Sequence, residues 1–308
     1  MIQVLTCDHY LLPETLGEAL VQWAGAPPGS RLIAGATDTL PWARQGRAGD
    51  VHVPHLIDIT RIAELQDYEI SDGRVRLGAN LVFQRFLSDE TLKTHLPCMP
   101  HCAIWFADDQ IREQATLAGN IVNASPAADG TPPVLAMNGT IELARTEAGR
   151  VARRTLSVAE FVTGPGATAL GGDEIVTAVE CDSMVGYGGS FEKVGQRRSL
   201  VISTVCTAAL VRPSADKSSF HDVRLAIGGT GPVPVRLNHV EEFLKTRPVT
   251  RASLRQASEM TDGLVNSRTR RAYRGEVLSG FIERALEDAL ADCGVHIPFD
   301  SVKEAASA

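Results

Sequence analysis

No stretch of the 308-residue chain reaches about 18 uninterrupted apolar residues, the run a membrane-spanning helix needs, so no span is expected. The opening segment Met1 to Asp8 lacks a basic stretch followed by an apolar one, which reads as a cytoplasmic protein. Positive charge is in deficit: 30 Lys and Arg stand against 37 Asp and Glu, for a formal net charge of -7. A surface of that sign argues against nucleic acid as a partner. The six cysteines are scattered, form no CxxC pair and are too sparse for a secreted disulfide framework, so reduced thiols are expected. Their densest grouping lies between His95 and Cys102, where Pro97 and Pro100 disturb ligand spacing; a surface turn and helix start is expected there, and no metal. His52, His55, His221 and His239 stand apart and read as surface or structural residues.

What is present is enough apolar material, 44% of the chain, to build two or three cores. Pro13 to Ala24 reads as a first helix, with Pro13 in its first turn and Leu16, Leu20 and Trp23 at helical spacing. Arg31 to Ala34 is a short strand that runs into the turn Gly35-Ala36-Thr37-Asp38 and a short helix around Leu40 to Gln45. His55 to Ile59 reads as a strand and Tyr68 to Ala79 as a hairpin about Ser71-Asp72-Gly73. Helical patterns follow over Val82 to Leu87 and Thr91 to Phe106. Ala115 to Thr131 reads as a long irregular segment of small and polar residues, which invites a functional explanation. Thr140 to Ala144 and Glu174 to Cys181 are further strands, and Ser203 to Val211 pairs with Asp222 to Gly228. A helix over Arg268 to Ala291 is expected to bury Tyr273, Val277, Phe281 and Leu286.

Two segments carry chemistry. In Leu32-Ile33-Ala34-Gly35-Ala36-Thr37-Asp38-Thr39 small residues leave successive backbone N–H groups open as strand turns into helix, a geometry that cradles phosphate oxygens. Thr37 and Thr39 add hydroxyl donors, and Asp38 is placed to cap the helix or meet a ribose or water. The same residues also fit an ordinary strand-to-helix turn, and they match neither GxGxxG nor GxxxxGK[ST], so no Rossmann fingerprint or P-loop is present in them. The second segment runs from Ala115 through Thr116, Gly119, Asn120, Asn123 and Ser125 to Asp129. Unpartnered buried amides and hydroxyls cost about 1–3 kcal/mol each, and a polar ligand would supply partners. Asp129 on its own reads equally as a helix N-cap.

Together, AGATDT and TLAGNIVNASPAAD resemble the two signatures of the FAD-binding subunit or domain of the molybdenum hydroxylases, the group of xanthine dehydrogenase and bacterial carbon monoxide dehydrogenase. Gln110-Ile111-Arg112, Phe191 to Arg198 and Arg224 to Arg236 extend the resemblance in order along most of the chain. It implies that Leu32, Ile33, Ala34, Gly35, Ala36, Thr37, Asp38 and Thr39 wrap the FAD pyrophosphate, with Thr116, Gly119 and Asn120 approaching from the other side. Asp129 is implied to meet the ribityl chain, Phe106 to lie against the cofactor, and Val176 to offer backbone contact near the isoalloxazine. Lys193 resembles the family's flavin-edge lysine, a cation that stabilises negative charge on reduced flavin.

The implied fold is α+β: a two-subdomain FAD-binding fold over 1–178 (about 1–55 and 56–178) of the type shared with vanillyl-alcohol oxidase. A C-terminal α+β domain over 179–292 with a three-stranded antiparallel sheet and a tail over 293–308 follow. The implied function is electron transfer from two [2Fe-2S] clusters on a small partner subunit to an external acceptor, while a large subunit with the molybdenum cofactor hydroxylates a heteroaromatic, purine or aldehyde. Tyr187 and Phe191 are expected to face those subunits. No insertion for an extra cluster is seen, so this chain is expected to carry flavin only. Two departures stand out: Ala36 and Ala118 replace glycines of the signatures, which is tolerated only where φ stays negative. The rival readings are a stand-alone FAD oxidase of the vanillyl-alcohol oxidase type and a flavin-free scaffold.

Overall fold

Strands Thr6–Leu11, Arg31–Ile33 and His52–Asp58 form a parallel sheet with His52–Asp58 in the middle. The computed structural model describes residues 4–197, 200–266 and 269–298. The first helix is Leu16–Ala24, later than expected: Thr15 is its N-cap, accepting from the Glu18 N–H, and Pro13 precedes it. Its buried face, Leu16, Ala19 and Leu20, packs with Ile59, Ile62 and Leu65 and reaches Ala144 and Ile175 of the next sheet. That packing seats the small parallel sheet against the larger antiparallel one.

The second sheet has five antiparallel strands in the order Tyr68–Ser71, Arg74–Gly78, Ile175–Asp182, Thr140–Glu147, Arg150–Ser157. The predicted hairpin closes through Asp72 and Gly73, both at positive φ (51° and 73°), the backbone that matches strand twist. The helical pattern over Thr91 to Phe106 is two helices, Glu90–His95 and Cys98–Trp105, separated at Leu96 and Pro97, where a turn and helix start were expected. The segment 115–131 is likewise less irregular than expected: Leu117–Val122 is a helix, and Thr131–Ala136 follows it.

The third sheet has four strands, Gly188–Val194, Val205–Pro213, Phe220–Gly228 and Val235–Arg236, where three were expected. The fourth is only two residues long, too short for any periodicity; it pairs with Ala226 and Ile227 and is pinned by Arg236 to Glu241 at 2.8 Å. Helix Arg271–Asp292 covers this sheet, with Leu278, Ile282, Ala285, Leu286, Ala289 and Leu290 buried. The expected stripe was rotated: Tyr273 is exposed, while Val277 and Phe281 are half-buried. Arg268 lies outside the described residues. Second and third sheets share one core, in which Phe191, Ala208 and Leu210 meet Met99, Ile141 and Val179. Phe191 is therefore a core residue and not a docking surface; Tyr187 is half-buried, with its hydroxyl donating to Asp222 at 2.6 Å.

Candidate cofactor site

The turn after Arg31–Ile33 enters helix Thr39–Arg44, and the segment that ends in helix Leu117–Val122 lies against it. Their contact is backbone on backbone: a Cβ added to Gly35 would sit 1.9 Å from the Gln114 carbonyl oxygen, so only glycine allows the approach. A cleft of about 280 Å³ opens between them, lined by Leu32 to Thr39, Phe106, Thr116, Gly119 and Asn120. A second depression of about 290 Å³ shares Leu32, Ala34, Thr116 and Gly119 with the first and adds Val176 and Trp23. Among the described residues, no group accepts from the backbone N–H groups of Gly35, Ala36, Thr37 or Asp38. A row of free amides on a loop that side chains do not crowd is the donor set a diphosphate requires.

Thr116 is the N-cap of Leu117–Val122, accepting from the Gly119 N–H at 3.0 Å. Asp38 stands at the N-cap position of its helix but makes no capping bond; its carboxylate instead takes the Asn123 amide at 3.1 Å, and loss of solvation holds its carboxyl above the usual range. Asn120 accepts from the Gly130 N–H at 3.0 Å and Ser125 from the Ala127 N–H at 3.3 Å. Asn120, Asn123 and Ser125 are half-buried, and each has one partner within the chain.

Asp129 is not an N-cap. Its carboxylate accepts from Lys193 Nζ at 2.6 Å and from the Ser203 hydroxyl at 2.5 Å, while Cys102 Sγ lies 3.3 Å from its carbonyl. Lys193 also donates to the Trp105 carbonyl at 3.2 Å, one residue from Phe106 on the cleft wall. Phe106 stacks on the fully buried Phe83 with centroids 3.9 Å apart and an interplanar angle of 2°, so its ring is held in place. The neighbouring cysteines point into the core: Cys98 and Cys102 are buried, and burial pushes both thiols up. Among the described residues no group of three His, Cys, Asp or Glu is arranged to hold a metal.

The two glycine replacements differ. Ala36 adopts φ of +52°, the left-handed region where a methyl group is strained; Ala118 sits inside a right-handed helix and is buried. Reasoning from sequence missed Arg31, Trp42 and Val122 on the cleft wall, Phe83 behind Phe106, and Ser203 on Asp129. Asn123, named in the polar segment, is also on the cleft wall. Arg198, in the stretch that carried the resemblance, lies outside the described residues.

Free loop amides facing a second loop, on a small parallel sheet beside an antiparallel one, suit the diphosphate of a dinucleotide cofactor, and the family that this chain matches gives the class as an FAD-binding flavoprotein. Residues 4–181 match the family described as FAD binding domain in molybdopterin dehydrogenase, and residues 190–289 match the CO dehydrogenase flavoprotein C-terminal domain. The chain belongs to this family of FAD-binding subunits; it is an oxidoreductase component, and FAD is its cofactor. It is 30% identical over 287 residues to the xanthine dehydrogenase FAD-binding subunit of Escherichia coli O157:H7, covering 91% of this chain and 95% of the relative. The carbon monoxide dehydrogenase medium chain of Hydrogenophaga pseudoflava is 26% identical, over 92% of this chain and 98% of that one. The solved carbon monoxide dehydrogenase of that organism shares the fold, with TM-score 0.85 and 24% identity over 95% of this chain and 100% of the other. These relatives are subunits and medium chains, which favours the electron-transfer subunit over the stand-alone oxidase.

Proposed function

We propose that this protein is the flavoprotein subunit of a three-subunit molybdenum hydroxylase, in which it receives electrons from a small subunit with two [2Fe-2S] clusters. The electrons leave to an external acceptor while a large subunit bearing the molybdenum cofactor hydroxylates the substrate. The substrate class is a purine or other N-heteroaromatic, with aldehydes next; similar subunits are named for xanthine, nicotinate, caffeine and nicotine, and one for glyceraldehyde. We assign residues 1–178 to FAD binding, with subdomains near 1–55 and 56–178, 179–292 to the C-terminal flavoprotein domain, and the complex to the cytoplasm. No helix among the described residues is long and apolar enough to cross a membrane.

The observation that carries this reading is the Gly35–Gln114 contact, which brings the two signature loops into one cleft. Bound FAD supplies the redox chemistry, accepting electrons from one partner and releasing them to another. The amides of Gly35 to Asp38 would hold the diphosphate from one side, with Thr116, Gly119 and Asn120 facing it. Phe106, immobilised by Phe83, would present an aromatic face to the cofactor, and the Val176 backbone would contact it from the adjoining depression. Asp129 would orient the ribityl chain. Lys193, paired with Asp129, would place a cation where negative charge collects on reduction.

Co-purification with its co-encoded partners tests the reading. The flavin absorbance of the complex should bleach on adding an N-heteroaromatic substrate, and the isolated chain should show no such response. Substrate turnover by the isolated chain would contradict the three-subunit assignment.

A further inference from the structure

The diphosphate of FAD carries negative charge, yet the cleft that would receive it is nearly uncharged. Among the described residues lining it, Asp38 is the one acid and Arg31 the one cation. Arg31 lies at the junction of both depressions, since it is among the residues that line each of them. It is held there by Asp50, a buried carboxylate whose Oδ1 accepts from Arg31 Nε at 3.2 Å and Nη2 at 3.1 Å. Asp50 Oδ2 binds a second arginine, Arg47, at 3.2 Å, and the Arg47 guanidinium lies 4.1 Å over the ring of Trp42, itself on the cleft wall.

Two arginines on one carboxylate leave a net positive charge at the rim. The fixing is selective: Arg31 also donates to the carbonyls of Ser30 at 3.4 Å and Gly49 at 3.3 Å, so one of the five guanidinium hydrogens, on Nη1, stays uncommitted. A guanidinium immobilised in this way binds a phosphate without first losing side-chain freedom.

We propose that Arg31, positioned by Asp50, is the counter-charge for the cofactor's diphosphate and a determinant of FAD affinity. This rests on the flavoprotein reading above. It gives Asp50 and Arg47 a role as positioning residues.

Apoprotein titrated with FAD at low and high salt tests the proposal, with thermal unfolding of each apoprotein as a control. Arg31→Gln should weaken FAD roughly ten- to hundredfold at low salt, the scale of one charge-assisted hydrogen bond. The deficit should narrow at high salt, and Arg31→Lys should recover part of the affinity. If the single variant proves unstable, Arg31→Gln with Asp50→Asn removes the buried carboxylate that has lost one of its two arginines and carries the same test. Unchanged FAD affinity, or a loss that ignores salt and is not recovered by lysine, overturns the proposal. Failure of the unaltered protein to bind FAD would instead overturn the flavoprotein reading beneath it.

Discussion

Lys193 and Asp129 meet at 2.6 Å with side chains only 3% and 8% exposed, across 64 positions of sequence. The contact ties the strand Gly188–Val194 of the third sheet to the loop before helix Thr131–Ala136. Burial pushes the Asp129 carboxyl up, and Lys193 and the Ser203 hydroxyl pull it back. Each charge is therefore tolerable only because the other is present.

Removing one partner should strand a buried charge. Lys193→Met or Asp129→Asn alone should lower the stability of the FAD-free protein by about 3–5 kcal/mol, and the double variant by clearly less than the sum. Denaturant unfolding of the four proteins gives the coupling energy directly; additive losses would show that the pair is not a unit.

The two alanines of the signatures should answer glycine in opposite directions. At Ala36, φ +52°, glycine removes left-handed strain, and Ala36→Gly should stabilise by up to about 1 kcal/mol after the entropic cost of glycine. At Ala118, inside a helix, Ala118→Gly should destabilise by about 1 kcal/mol. Melting temperatures of the two variants are sufficient to decide, and shifts of the same sign would refute the backbone argument.

Both cleft loops were legible because they are dense in small and polar residues, and glycine at position 35 is required by the Gln114 backbone. The elements that escaped notice lack such a local cause. Strand Arg150–Ser157 is charged because Arg153 and Arg154 pair with Glu142 and Glu174, so alternation of apolar residues never appears. Phe191 looked like a surface aromatic until the core of the second and third sheets closed over it. Trp42 and Arg31 read as ordinary helix and strand residues, since only the folded chain shows that they flank one cleft.

Gly35→Ala tests the loop contact itself. The added methyl group would meet backbone at 1.9 Å, and backbone cannot swing aside as a side chain can. The loops must separate at a cost of about 1–3 kcal/mol, a roughly five- to hundredfold loss of FAD affinity if it falls on binding. Equilibrium titration of apoprotein measures it; wild-type affinity would mean the contact is not part of the site.

Glu192 predicts a pH dependence of stability. It lies beside Lys193 in sequence but faces helix Arg271–Asp292, with Arg284 at 3.4 Å and Asp288 next to it. Burial raises its carboxyl to about 7, Arg284 opposing and Asp288 reinforcing the shift. Between the ordinary carboxyl range and about 7 the folded protein holds a proton that the unfolded chain releases, so stability should fall as pH rises through that window and level off above it. Glu192→Gln should flatten that slope; melting curves between pH 5 and 8, roughly the span concerned, compare the two.

The central claim is that the two small-residue loops form one FAD site, and cofactor content tests it most directly. Gently purified protein should show a flavin spectrum and, on heating, release FAD rather than FMN, non-covalently bound and close to one per chain. A colourless protein that takes up no added FAD would contradict the account and favour a flavin-free scaffold.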